Sequence, residues 1–147
     1  MCGDAALAED AAHECFMRAW QHLHSYRPQS PFRYWLYRIA ANCAISELRR
    51  AKPVVNVEDH PLSDDRRGPE ASAELKERAA AVQAAILALP ATGRSTWILR
   101  EYEGLSHRNI AETLEIPIGT VMSRLNYARR RLRDALAGYM EVAPRTT

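Results

Sequence analysis

The sequence predicts an all-α protein made of two small helical bundles joined by a linker. Three observations carry that prediction. Apolar residues recur at helical spacing in six separate segments. No segment shows the sustained alternation of a strand. Residues 51–72 keep no period at all, and they gather Pro53, Pro61, Gly68 and Pro69 with the acidic residues Glu58, Asp59, Asp64 and Asp65.

The chain has 147 residues, enough for one ordinary domain or two very small ones. Hydrophobic residues make up 47% and charged residues 26%, a globular composition that excludes a disordered chain. No apolar run approaches the roughly 20 residues of a membrane span. Met1-Cys2-Gly3-Asp4 opens neither a signal nor a transit peptide, so a cytoplasmic location is expected. The three cysteines, Cys2, Cys15 and Cys43, form no CxxC pair, which predicts reduced thiols, no disulfide and no metal site.

The net charge of +2 is unevenly spread. Residues 51–73 hold three basic and five acidic groups, whereas residues 74–147 hold eleven and eight. Five arginines against Asp134 lie between Ile118 and Ala137. A local basic stripe on a nearly neutral protein points to nucleic acid more than to a membrane.

The first helix is read from Leu7, Ala12, Phe16, Ala19, Trp20 and Leu23, with Asp4 as its cap. Arg27-Pro28-Gln29-Ser30-Pro31 ends it near Ser25 as a loop. Phe32, Trp35, Leu36, Ile39, Cys43 and Leu48 trace the second, which closes in Arg49 and Arg50 before Pro53. Phe16, Trp20, Trp35, Leu36 and Ile39 read as core residues. After the linker, Leu75, Ala79, Val82, Ile86 and Leu89 form a stripe ending at Pro90. Thr92 is the expected cap of a helix carrying Trp97, Ile98, Leu99 and Tyr102, closed by Glu103-Gly104-Leu105. Ser106 caps a short helix to Leu114, Glu115-Ile116-Pro117 turns the chain, and a last helix runs from Ile118 to about Tyr139.

The segment from Gly104 to Arg133 carries the most information. A short capped helix, a tight turn and a longer basic helix form a helix-turn-helix pattern. On the last helix Val121, Leu125, Ala128, Leu132 and Leu136 share one face, which must be core. Thr120, Ser123, Arg124, Tyr127 and Arg131 share the opposite face. An element that enters a major groove needs this division: short hydrogen-bonding groups near the N-terminus and arginines, here Arg129 and Arg131, beside phosphates.

These residues resemble a known family. Ala88-Leu89-Pro90, Glu103-Gly104-Leu105-Ser106, Ile110-Ala111, Ile116 through Val121, Ser123-Arg124-Leu125 and Ala128 through Leu132 are similar to the C-terminal DNA-binding domain of extracytoplasmic-function (ECF) sigma factors. Ala8-Glu9-Asp10, Glu14, Phe16, Arg18-Ala19-Trp20, Phe32-Arg33, Trp35 through Ala40, Asn42, Ala44-Ile45 and Leu48-Arg49-Arg50 are similar to the promoter-melting domain of the same family. The two blocks stand in the family's order and cover most of the chain.

The resemblance implies a division into residues 1–50 (sigma region 2), a linker over 51–72, residues 73–140 (sigma region 4) and a tail over 141–147. It implies that the protein binds core RNA polymerase, through the β′ clamp and the β flap, and directs it to promoters. Thr120, Ser123, Arg124, Tyr127, Arg129 and Arg131 then meet the −35 element. Asp10, His13, Glu14 and Arg18, on the polar side of the first helix, meet the polymerase. The loop from Tyr26 to Pro31 offers Tyr26 and Arg27, an aromatic ring and a cation of the kind that hold single strands. Arg38, Asn42 and Ser46 repeat at four-residue spacing, followed by Arg49 and Arg50, a set able to read bases and meet phosphates at the −10 element. An anti-sigma factor is the further expected partner. No catalytic residue, cofactor, metal or small-molecule substrate is implied, and the acidic linker reads equally as an RNA mimic or a spacer.

The chain also departs from the pattern. The family has another helix before the first one here, which leaves Leu7, Phe16, Trp20, Trp35 and Leu36 with more apolar area than two helices hide. Residues 1–50 are therefore expected to fold stably only when bound, whereas residues 73–140 are expected to fold alone on Val82, Ile86, Leu99, Ile110, Val121 and Leu125. His13 stands where glutamine is usual. Met122 stands where a basic residue is usual, and Asn126 and Tyr127 where basic or aromatic residues are frequent; these last changes reduce phosphate contacts, so weak DNA binding without polymerase is expected. The sequence is also compatible with two other functions. One is a stand-alone helix-turn-helix transcription regulator. The other is an adaptor that sequesters another regulator without touching DNA. An enzyme is not expected, since no phosphate loop, triad or metal motif occurs and His22 and His24 do not share a helix face.

Overall fold

The computed structural model describes residues 1–51 and 69–140. Over these residues the architecture is all-α. Helix α1 spans Ala5–His22 and passes through a 3₁₀ turn, Leu23–Ser25, to a loop and α2, Phe32–Arg50. Helices α3 (Pro69–Leu87), α4 (Ala91–Glu101), α5 (His107–Leu114) and α6 (Ile118–Met140) follow.

The helix ends answer to local chemistry. Asp4 Oδ1 accepts the Leu7 amide at 3.0 Å and starts α1. Ser106 Oγ accepts the Asn109 amide at 3.1 Å and starts α5. Gly104, at φ +69, takes the left-handed position after α4, where the Leu105 amide closes onto the Leu99 carbonyl at 3.0 Å. Two expected ends differ. Helix α3 begins at Pro69, inside the expected linker, because proline's fixed φ suits the first helical position. Helix α4 begins at Ala91 after Pro90, so Thr92 lies within it, and the Thr92 carbonyl accepts the hydroxyls of Ser95 and Thr96. The rest of the linker, 52–68, and the tail, 141–147, lie outside the described residues, and so do their expected roles.

The packed face of α1 is a correction to the sequence reading. Ala11, Cys15 and Ala19 are buried, and opposite them α2 buries Cys43 and Ala44. Phe16 is 68% exposed and Trp20 79% exposed: their spacing placed both in the core, and both stand among the apolar residues that two helices were expected to leave uncovered. Small side chains at i, i+4 and i+8 let α1 approach α2 closely, and the large rings fall beside the seam. In α3 Leu75 and Val82 are exposed, and Ala85, Ile86 and Leu89 carry the packing.

The C-terminal helices enclose two clusters. Ala85, Ile86, Leu89, Ala128 and Leu132 join α3 to α6. Leu99, Leu105, Ile110, Val121 and Leu125 join α4, α5 and α6, and Trp97 bridges both. Tyr34 and Tyr37 of α2 also rest on the second cluster. The N-terminal helix pair is therefore seated on the helix-turn-helix, a contact that the spacing of apolar residues did not announce.

Candidate nucleic-acid interface

The helix-turn-helix is fixed from within. Ile110, Val121 and Leu125 are fully buried and hold α5 and α6 at their crossing. Between them Glu115 adopts φ 54, ψ 47, the left-handed cap of α5, and the Ile116 amide returns to the Ala111 carbonyl at 3.0 Å. With Val121, Leu125, Ala128 and Leu132 turned inward, the other side of α6 must face out.

That outer face carries the residues expected at DNA. Ser123 and Tyr127 are exposed, and Thr120 and Arg124 are half-buried. Ser123 Oγ donates to the Thr120 carbonyl at 3.0 Å. Arg129 and Arg131 are exposed further along. None of the arginines of α6 is ion-paired with a carboxylate among the described residues. The helix thus combines short polar groups in its first two turns with free guanidinium groups behind them, an arrangement able to enter a groove and hold phosphates.

The polar side of α1 is equally accessible. Asp10 and His13 are exposed, and Glu14 and Arg18 are half-buried. Arg18 Nε donates to Glu14 Oε1 at 2.6 Å, and this hydrogen bond raises the guanidinium pKa above its ordinary value.

The loop and α2 are more constrained. Tyr26 is half-buried: its hydroxyl donates to the Ser30 carbonyl at 2.8 Å, and its ring meets Phe32 edge-on at 5.2 Å and Trp35 at 5.8 Å. Arg27 is left exposed at the tip. Along α2, Asn42, Arg49 and Arg50 are exposed and Ser46 is half-buried. Arg50 donates to Glu47 at 2.7 Å. Arg38 is ion-paired with Glu115 of the helix-turn-helix. Tyr34, Tyr37, Glu103, Asn109 and Glu115 frame this contact; of these the sequence marked Glu103 and Glu115, and only as turn residues.

A second feature of residues 73–140 is an apolar groove between α3, α4 and α6. It is lined by Val82, Ile86, Trp97, Tyr102, Leu132 and Leu136, with Arg129, Arg133 and Glu101 on its rim. Among the described residues no cluster of His, Cys, Asp and Glu could hold a metal ion. No described helix is long and apolar enough to cross a membrane.

Comparison with known proteins agrees with this layout. Residues 1–54 match the family Sigma-70 region 2, and residues 79–132 match the family Sigma-70, region 4. The RNA polymerase sigma-H factor of Pseudomonas aeruginosa is 39% identical over 145 residues, covering 90% of this chain and 75% of that protein. The ECF RNA polymerase sigma factor SigW of Bacillus subtilis is 34% identical over 152 residues, covering 92% and 79%. Among solved structures, the sigma factor RpoE in complex with the anti-sigma factor NepR, from Bartonella quintana, matches with a TM-score of 0.63 and 27% identity over 88% of this chain and 80% of that one. CnrH, solved with the cytosolic domain of CnrY, shares the fold with a TM-score of 0.62 and 24% identity over 92% of this chain and 74% of that one. A stand-alone helix-turn-helix regulator would account for residues 79–132 and leave 1–54 without a reason. With both regions matched in order, the chain belongs to the ECF sigma factors, the promoter-directing subunits of bacterial RNA polymerase.

Proposed function

We propose that the protein directs core RNA polymerase to its promoters with the following division of labour. Helix α6 reads the −35 element with Thr120, Ser123, Arg124 and Tyr127, and Arg129 and Arg131 meet phosphates on either side. Arg38, Asn42, Ser46, Arg49 and Arg50 of α2, with Arg27 in a loop braced by Tyr26, engage the −10 element and its separated strand. Asp10, His13, Glu14 and Arg18 of α1 dock on the β′ clamp, and the groove beside Trp97 and Tyr102 receives the β flap. In these terms residues 1–50 work as region 2 and residues 73–140 as region 4. An anti-sigma factor competes for the same surfaces. The protein acts in the cytoplasm and contributes positioning, not catalysis.

The observation that carries this reading is α6 itself. Its buried stripe fixes which side faces out, and that side bears hydrogen-bonding groups and unpaired arginines. The polymerase part is tested by a pull-down with core enzyme. Charge reversal at Asp10 and Glu14 is expected to abolish capture while the circular dichroism spectrum stays unchanged. Normal capture of the double variant would remove α1 from the interface.

A further inference from the structure

The outer side of α6 is not wholly polar. Ile118 is 50% exposed and Met122 48% exposed, one turn apart at the start of the helix. Gly119, Met122, Ser123 and Asn126 lie at i, i+3, i+4 and i+7, and all four are exposed on one face. The buried residues Val121, Leu125 and Ala128 hold the helix from the other side. A single exposed apolar side chain is ordinary. Here two stand together, beside Ser123, on the element whose polar groups are assigned to the −35 element. Exposed Arg129 and Arg133 follow Met122 at i+7 and i+11. The line that begins apolar therefore ends in guanidinium groups, the first of them roughly 10 Å further along the helix axis.

Gly119 supplies an independent observation. It lies in the first turn of α6 without a positive φ, and a Cβ built on it would meet nothing within 4 Å. Glycine weakens a helix relative to alanine, so neither the backbone nor the packing of the free protein calls for it. A glycine with open space before it lets the backbone come close to a ligand. The chemistry of the major groove then selects what Met122 can face. Base edges there present hydrogen-bond donors and acceptors, and the one apolar group among them is the C5-methyl of thymine. A thioether donates no hydrogen bond and accepts weakly. Against a guanine or cytosine edge it would strip water from polar groups and return nothing. Against a thymine methyl it buries apolar surface on both sides, and the unbranched side chain adapts to reach it.

We propose that Met122 is a specificity-determining residue that reads thymine in the −35 element by packing its thioether on the C5-methyl group, with Gly119 letting the helix backbone come close to the bases. The proposal rests on the assignment of the outer face of α6 to that element. Ser123 and Arg124 supply hydrogen bonds there. Met122 adds what no polar side chain can supply, a preference for a methyl group over a hydrogen atom at the same ring position. Ile118, one turn earlier, shields the contact from water. Deoxyuridine pairs as thymidine does and lacks only that methyl, so it isolates the contact. A protein partner seated on Ile118 and Met122 would be indifferent to it.

The test uses holoenzyme assembled from core polymerase and the full chain. A duplex library randomised upstream of the start site is selected for binding. Each thymine of the selected −35 element is then replaced in turn by deoxyuridine. Wild-type holoenzyme is expected to lose affinity roughly 3- to 10-fold at one or two positions. Met122→Ala is expected to bind the thymine duplex weaker by that factor and to lose nothing further with deoxyuridine. Met122→Leu is expected to keep the discrimination. Gly119→Ala is expected to melt higher and yet bind the element less well, because the added methyl meets nothing in the free protein and stands between helix and bases in the complex. A selected element without thymine, deoxyuridine tolerated at every position, or an equal deoxyuridine loss in wild type and Met122→Ala would each overturn the proposal. Gly119→Ala binding as tightly as wild type would overturn it too. Selections with Ser123→Ala and Arg124→Ala separate the two assignments. If these variants change the selected element while the deoxyuridine loss is missing, α6 reads DNA without Met122. If neither changes it, the assignment of α6 falls and the role of Met122 with it.

Discussion

Arg94 ties the corner between α3 and α4 by donating to the Leu89 carbonyl at 2.9 Å. The same guanidinium also donates to the Leu87 carbonyl. Arg94 is only 8% exposed, and burial lowers its pKa from the ordinary value. Two carbonyls at the end of α3 thus have a single side-chain donor, which the planar fork of arginine can serve at once. Arg94→Ala is expected to destabilise the C-terminal helices by about 2–4 kcal/mol, since it strands buried acceptors and leaves a void. Arg94→Lys is expected to recover part of that loss. Thermal melting followed at 222 nm checks both, and an alanine variant as stable as the wild type would show that water replaces the guanidinium without cost.

The seam of α1 makes a prediction that separates two views of the N-terminal pair. Ala19→Leu adds volume where α1 meets α2 and is expected to cost about 1–3 kcal/mol. Trp20→Ser, on the exposed side, is expected to change stability by less than about 0.5 kcal/mol and to raise solubility. Chemical denaturation of both variants decides. The reverse order would restore Trp20 to the core.

How much of this was legible in the sequence follows the range of each interaction. The caps at Asp4 and Ser106 could be read because each bond joins residues three apart. The core face of α6 could be read because Val121, Leu125, Ala128 and Leu132 are apolar and in register. The seam of α1 was not legible, because apolar spacing favours large side chains such as Phe16 and Trp20, whereas close approach selects alanine and cysteine. The contact of Arg38 with Glu115 spans 77 positions and depends on how two helical units meet, which no local period encodes. The same limit hid the contacts of Tyr34, Tyr37 and Glu103.

Alkaline pH is expected to weaken the fold through groups that folding keeps protonated, Cys2, Cys15, Cys43 and Tyr37 among them. Burial raises the pKa of Cys15 and of Cys43 above the ordinary thiol value of 9.0. The hydrogen bond to Glu103 raises that of Tyr37 above 10.0. A raised folded-state pKa means that the folded protein holds its proton longer. The stabilisation is complete below the ordinary value and is lost as pH rises through the folded value. The melting temperature is therefore expected to be flat to about pH 8.5 and to fall from about pH 9 upward. Cys15→Ala with Cys43→Ala is expected to flatten the first part of that decline. An unchanged slope in the double variant would assign the alkaline loss to other groups.

On α6 base reading and phosphate holding are separable. Ser123→Ala or Arg124→Ala is expected to cost about 1–3 kcal/mol at the preferred −35 sequence and little elsewhere. Arg129→Ala and Arg131→Ala are expected to weaken all sequences alike, each lowering the slope of log K against log salt by roughly one unit. Fluorescence anisotropy on duplexes at several salt concentrations tells the two patterns apart. A uniform loss from Ser123→Ala or Arg124→Ala would move that residue from base reading to the backbone.

Transcription from a randomised promoter library by core polymerase and this protein decides whether the protein directs initiation. Initiation is expected on a subset of templates that share two sequence elements at fixed spacing. Arg124→Ala is predicted to change the upstream element alone, and charge reversal at Asp10 and Glu14 to abolish the signal. Transcript levels no higher than those of core polymerase alone, on every template and with folded protein, would contradict it.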